Sequence, residues 1–161
     1  MPTAWAPKGQ PPRVPHKWSS KPYVAVFAGI SVRSGCLVQM YREGAAFKAV
    51  DIDDFLHRLR GRVGKHKKLA VFWDNASIHA RPGRETAPQL KIEVIRNAPY
   101  RPDLNGIELF WGRLKRAYRK ELTRLRSQGL EWDQLELVKR LVGDIGFDCA
   151  KDCTSQGWVS L

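Results

Sequence analysis

Leu69-Ala70-Val71-Phe72-Trp73-Asp74-Asn75 sets five consecutive apolar residues directly before a carboxylate and an amide. Five residues are too few for a helix, and apolar residues without polar alternation mark a strand covered on both faces. The charged run Lys65 to Lys68 fixes where it starts. Asp74 therefore falls at the carboxyl end of a buried strand, where open α/β sheets gather their ligands.

Upstream, Ile52, Phe55, Leu56 and Leu59 recur at helical spacing between Asp51 and Arg62, with Asp51 as N-cap and Gly61 and Gly64 near the stop. Before that helix, Tyr23 to Ile30 and Cys36 to Tyr41 are two strand-like runs joined through Arg33-Ser34-Gly35, the signature of a hairpin. Downstream, a turn-rich basic segment reaches Pro88, and Lys91 to Ile95 alternates apolar with charged residues as a lateral strand does. Ile107, Phe110, Trp111, Leu114, Tyr118, Leu122 and Leu125 then form one long helical stripe, followed by a weaker helix over Trp132 to Val142 and a short tail with two cysteines. Hairpin, helix, buried strand, strand and long helix compose an α/β fold, a mixed sheet with flanking helices. The expected organisation is an extended basic arm over residues 1–20, a core over 21–126 and a helical tail over 127–161. Prolines at 2, 7, 11, 12 and 15 remove ladder donors and keep the arm out of a sheet interior.

At 161 residues with 43% hydrophobic content, the chain can bury one core and is too short for two large domains. Its 28 Lys and Arg against 16 Asp and Glu leave a net charge of +12. Such a charge selects polyanions: nucleic acid first, an anionic membrane surface second. No apolar run approaches the ~20 residues needed to span a bilayer, and residues 1–10 lack the apolar segment of a secretory signal. Both point to a cytoplasmic protein. Three cysteines, Cys36, Cys149 and Cys153, are odd in number and too few for a disulfide scaffold, so reduced thiols are expected. Cys149 and Cys153 stand one helical turn apart without the further ligands of a zinc site. His57 and His66 show no partner spacing.

The chemistry rests on Asp74 and Glu108, the latter in the first turn of the long helix. Carboxylates brought together from a strand end and a helix start suit Mg²⁺, which takes oxygen ligands and keeps waters and phosphates for the rest. Two such ions, about 3.5–4 Å apart, activate a water or a 3′-hydroxyl and stabilise the leaving oxygen of a phosphodiester. Each acid also has a plainer reading. Asp74 can cap a turn, and Glu108, three residues after Asn105, fits a capping box with Asn105 as N-cap.

The residues around the two acids add a resemblance. Val71-Phe72-Trp73-Asp74-Asn75-Ala76-Ser77-Ile78-His79, then Ala98-Pro99-Tyr100-Arg101-Pro102-Asp103-Leu104-Asn105-Gly106-Ile107-Glu108, and then Trp111 and Lys115, are similar to the catalytic core of DDE transposases of the mariner superfamily, in its bacterial insertion-sequence branch. Trp5-Ala6-Pro7-Lys8-Gly9-Gln10 resembles the segment that follows the family's first strand. The resemblance implies an RNase H-like fold, Mg²⁺ or Mn²⁺ as cofactor, and nicking of DNA at transposon ends with transfer of the 3′-hydroxyl to a target. It makes Asp74 the second acid of a triad and Glu108 the third. Asn75, His79 and Asn105 take secondary site roles, with His79 orienting a carboxylate or touching DNA.

Three departures follow. Arg101-Pro102 and Asn105-Gly106 stand where the family usually has Ser-Pro and Asn-Pro; Gly at the first helical position loosens the helix start by ~1 kcal/mol. The third concerns the family's first aspartate, on a central strand upstream of the Trp-x-Pro-x-Gly segment. Here the first acid of any kind is Glu43 and the first aspartate is Asp51. The expectation is an N-terminally truncated RNase H-like domain lacking that strand. As a C-terminal catalytic fragment it is inactive alone and completed by an upstream transposase segment in cis or in trans. A non-catalytic DNA-binding or dimerising remnant that regulates a transposase is the alternative, and a misplaced start codon a further one.

On the long helix, Lys115 and Arg119 share the face of Glu108, and Arg113, Arg116 and Lys120 form an adjacent basic stripe. With so few acids among them, they are expected to contact DNA phosphates. The arm, through Lys8, Arg13, His16, Lys17 and Trp18, would lie along DNA in the same way. Phe110 and Trp111 are expected in the core. A homodimer is compatible with this reading, membrane association is not, and the location implied is the bacterial nucleoid.

Overall fold

The computed structural model describes residues 21–31 and 33–157, with residues 146–157 as helical backbone alone. The arm expected over residues 1–20 and the side chains of Cys149 and Cys153 lie outside the described residues.

Two strands, β1 (Val24–Ser31) and β2 (Gly35–Glu43), form the antiparallel hairpin, with Val26 opposite Tyr41 and a bulge at Gly29/Ile30. Gly35 turns the chain at φ 63°, a conformation that costs glycine little. The pleat sends alternate side chains to opposite faces. Val24, Val26, Ile30 and Tyr41 pack toward Phe110, Leu114, Leu137 and Leu141, whereas Phe27, Val38 and Met40 pack toward Ile52, Phe55 and Leu56. The hairpin is thus the middle layer between helices.

Helix α1 (Ala49–Val63) buries the expected stripe, but its N-cap is Lys48 and not Asp51. Asp51 stands in the first turn, where its carboxylate accepts from the Lys48 backbone N–H at 2.6 Å and pairs with Arg42 at 2.6 Å. The positive end of the helix dipole favours an acid there, so the residue marks the helix start three positions later than the cap itself. At the other end, buried Arg60 donates to the carbonyls of Leu90, Gly64, Lys67 and Lys91 and ties the helix to both neighbouring loops.

Strand β3 (Leu69–Trp73) lies where expected but is not covered on both faces, since only Trp73 is buried, Leu69, Val71 and Phe72 are partly buried and Ala70 is exposed. Strand β4 (Ile92–Arg96) pairs with it in parallel, Leu69 opposite Ile92 and Trp73 opposite Arg96. Between them, the segment expected as turn-rich carries short helical turns at Ser77–His79, α2 (Ala80–Arg84) and α3 (Thr86–Gln89). Proline and glycine within such short turns hid them. The mixed set of pairings is present as two two-stranded sheets, β1–β2 and β3–β4.

Helix α4 (Ile107–Ser127) follows a single turn at Pro102–Leu104, and α5 (Gln134–Gly157) packs against it and against the hairpin. The weak helix expected to stop at Val142 continues through the cysteine-bearing segment. Phe110 is fully buried, and Trp111 is half-buried at the edge of the core, its ring 5.2 Å from that of Phe110. No described helix is long and apolar enough to cross a membrane.

Candidate active site at the end of strand β3

Asp74 is the first residue past β3. Its side chain is 56% exposed, and its Oδ1 accepts from the Ala76 backbone N–H at 3.0 Å and lies 2.9 Å from His79 Nδ1. With Oδ1 doubly engaged, Oδ2 is the oxygen without a hydrogen-bond partner among the described residues. His79 is buried, stacked on Trp73 at 4.7 Å between ring centroids and edge-on to Phe27 at 5.8 Å. The core therefore holds the imidazole, and the imidazole holds the carboxylate. Its Nε2 and the Trp73 Nε1 are buried without a hydrogen-bond partner among the described residues.

Asn75 lines the cleft beside Asp74 and donates from Nδ2 to the Asn97 carbonyl at 2.8 Å, while the Asn97 N–H donates to the Trp73 carbonyl at 2.9 Å. These two bonds clamp the ends of β3 and β4 together. Asn97, buried and absent from the sequence expectations, also donates from Nδ2 to the Arg101 carbonyl at 2.7 Å and so braces the following loop. An isolated asparagine after a strand is a common turn residue, and only the fold reveals its three connections.

Glu108 reaches the same place from α4. Asn105 does not act as the N-cap: Gly106 does, with helical φ −57° and ψ −21°, and the Asn105 Oδ1 stands 3.4 Å from the Ile107 N–H. That length is too great for a strong cap. The Asn105 backbone carbonyl instead accepts from the Glu108 N–H at 3.0 Å. Glu108 is exposed, and with Asp74 and Asn105 it lines a cleft of about 460 Å³ bounded by the loop 97–102. Asp74 and Glu108, 34 positions apart in sequence, thus border one space.

Two carboxylates fit a hard divalent cation in kind, since Mg²⁺ takes oxygen donors. They fall short in number: among the described residues no group of three His, Cys, Asp or Glu is placed to hold an ion. Asp103, the nearest other acid in sequence, accepts from Arg101 at 2.9 and 2.7 Å, and this guanidinium holds its carboxyl below the usual range.

Lys115, Arg116, Arg119 and Lys120 are all exposed on α4 and form no ion pair among the described residues, and Arg113 is exposed beside them. Further along, Arg124 of α4 and Arg140 of α5 share Glu121, at 2.8 and 2.7 Å. Lys115, Arg116, Arg119 and Lys120, unpaired among the described residues, therefore stand along the middle of α4.

No curated protein matches the sequence. Among solved structures, the fold is similar to the Mos1 strand transfer complex, with 20% identity and a TM-score of 0.58 over 99% of this chain and 51% of that one. The Mos1 mariner paired end complex with Mn is similar at 19% identity and a TM-score of 0.56, over 97% and 50%. The chain spans about half the length of the chains it matches. Residues 1–128 match the family described as DDE superfamily endonuclease, a span that includes both Asp74 and Glu108. The chain belongs to the DDE superfamily of endonucleases.

Proposed function

We propose that the chain is the carboxyl-terminal part of a DNA transposase catalytic domain, in which Asp74 and Glu108 hold Mg²⁺ or Mn²⁺ against a phosphodiester of transposon-end DNA. The observation that carries this reading is the meeting of the two acids at one cleft, from the end of β3 and the first turn of α4. Such a cation, when bound, lowers the pKa of a water or 3′-hydroxyl and offsets charge on the phosphate. His79 and the Ala76 N–H fix the rotamer of Asp74, which lowers the cost of ordering it on the ion. Lys115 and Arg119, with Arg113, Arg116 and Lys120 beside them, contact phosphates and set the register of the DNA without reading its bases.

A third carboxylate is assigned to an upstream segment, in cis or in trans. Two observations support that assignment. The sheets β1–β2 and β3–β4 share no ladder among the described residues. Residues from β1 and β3 together line a second cleft, of about 760 Å³, that ends at Asp74 and Glu108. One extended strand between them would join the halves into a single mixed sheet and deliver its last residue to the acids.

The test is nicking of supercoiled plasmid in Mg²⁺ by the chain alone and by the chain preceded by a strand ending in aspartate. Nicking is expected only with the strand present, and is expected to vanish in Asp74→Asn and in Glu108→Gln. Robust cleavage by the chain alone defeats the missing-ligand argument, and activity retained in either variant removes that acid from the site. DNA binding without nicking in the extended chain favours a non-catalytic regulator.

A further inference from the structure

Tyr100 is 100% exposed and has a φ of 59°. A bulky residue in the left-handed region is strained, and an exposed ring gains nothing from burial. Glycine or asparagine would take the same backbone at lower cost. The surrounding loop nevertheless maintains this conformation. The Arg101 N–H donates to the Ala98 carbonyl at 3.3 Å, closing the turn around Pro99 and Tyr100, and Asn97 Nδ2 holds the Arg101 carbonyl. Asn97 is in turn bonded to Trp73 and Asn75 on either side of Asp74, so the loop is referenced to the backbone of the candidate site. Tyr100 borders the same cleft as Asp74 and Glu108.

We propose that Tyr100 is a stacking platform for an unpaired base of the DNA strand whose phosphodiester lies at Asp74 and Glu108. The inference rests on the DNA reading given above. The ring's exposed neighbours in the loop are the small apolar residues Ala98, Pro99 and Pro102, the partly exposed Leu104, and the charged Arg101 and Asp103, and the chain's net charge of +12 selects a polyanion over an apolar protein partner. The ring matches one nucleobase, which any sequence supplies and which stacks on an aromatic face. A base held there fixes the position of its own phosphate, so Tyr100 is a positioning residue, acting on the substrate beside the reacting bond.

The experiment uses this chain with duplex DNA bearing a short 3′ or 5′ overhang that contains 2-aminopurine, and with the blunt duplex of the same length. Wild type is expected to prefer an overhang and to quench the 2-aminopurine. Tyr100→Ala is expected to lose about 5- to 150-fold of affinity for the overhang substrate, the range one base–aromatic stack supplies, with blunt-duplex affinity unchanged. Tyr100→Phe should retain both preference and quenching. Tyr100→Gly should melt at a higher temperature than wild type while losing the preference, a combination that a structural role for the ring does not produce. Equal overhang binding by wild type and Tyr100→Ala, or an equal loss on blunt duplex, overturns the stacking role and leaves DNA binding standing. Failure of wild type to bind either duplex overturns both readings.

Discussion

Replacing Lys115, Arg116, Arg119 and Lys120 together with glutamine removes four exposed cations that have no ion-pair partner among the described residues. Glutamine keeps good helix propensity, so α4 should persist. The four cover a rise of about 7.5 Å along the helix at 1.5 Å per residue. Phosphates of one strand are spaced about 3.4 Å apart along the DNA axis, so between roughly two and four contacts are geometrically available. Each contributes about 0.9 to the slope of log K against log salt. The variant's slope should therefore be shallower by about 1.8 to 3.6, and between 50 and 200 mM salt wild type should lose roughly 12- to 150-fold more affinity than the variant. Fluorescence anisotropy on a labelled duplex across that salt range measures it. Arg124→Gln is the control, because Arg124 is already bound to Glu121 and should leave the slope unchanged. An unaltered slope in the quadruple variant, or an equal change in the control, refutes the assignment of α4 to phosphate contact.

Other perturbations test the scaffold. Gly106 has a φ of −57°, close to that of proline, and Asn105 before it is extended at φ −103° and ψ 99°, so Gly106→Pro should raise stability by about 0.4–1 kcal/mol in thermal melts. Arg60→Met leaves the carbonyls of Leu90, Gly64, Lys67 and Lys91 without their common donor and should cost on the order of 3 kcal/mol by urea denaturation. A Cβ added at Gly83 would lie 2.9 Å from Trp73 Cζ2, so Gly83→Ala should cost about 1–3 kcal/mol and change the tryptophan fluorescence, since Trp73 cannot yield without disturbing His79. Hydrogen bonds from Arg124 and then Arg140 hold the Glu121 carboxyl down at about 2, against an ordinary value of 4.5. Its stabilising contribution is complete above the ordinary value and is lost as pH falls from there toward 2. Across that window wild type should lose stability more steeply than Glu121→Gln.

The strand that ends just before Asp74 is legible because five apolar residues between charges admit few other structures, but its partial exposure is not, because an apolar run does not say whether both faces are covered. The hairpin and the long helix were legible from their periods, two and 3.6. What escaped was local and three-dimensional. Asp51 looked like a cap because acids favour both the cap and the first turn, and only the backbone distinguishes Lys48 as the former. Asn105 fits a cap by sequence for a similar reason, but Gly106 takes that place once the preceding turn at Pro102–Leu104 is formed. The helical turns between Ser77 and Gln89 are too short to show a period. At the site, Asp74, Glu108 and His79 could be picked out from sequence by their neighbours. The brace made by Asn97 and the strained exposure of Tyr100 could not, because both are properties of backbone geometry that residue identity does not encode.

The central claim is that Asp74 and Glu108 share a divalent cation. Mn²⁺ binding followed by electron paramagnetic resonance tests it most directly, on wild type, Asp74→Asn, Glu108→Gln and, as a control, Asp103→Asn. The account predicts one Mn²⁺ site, weak for want of a third carboxylate, that each of the first two substitutions abolishes and that Asp103→Asn preserves. Mn²⁺ binding that survives both Asp74→Asn and Glu108→Gln, or that responds to only one of them, would contradict it.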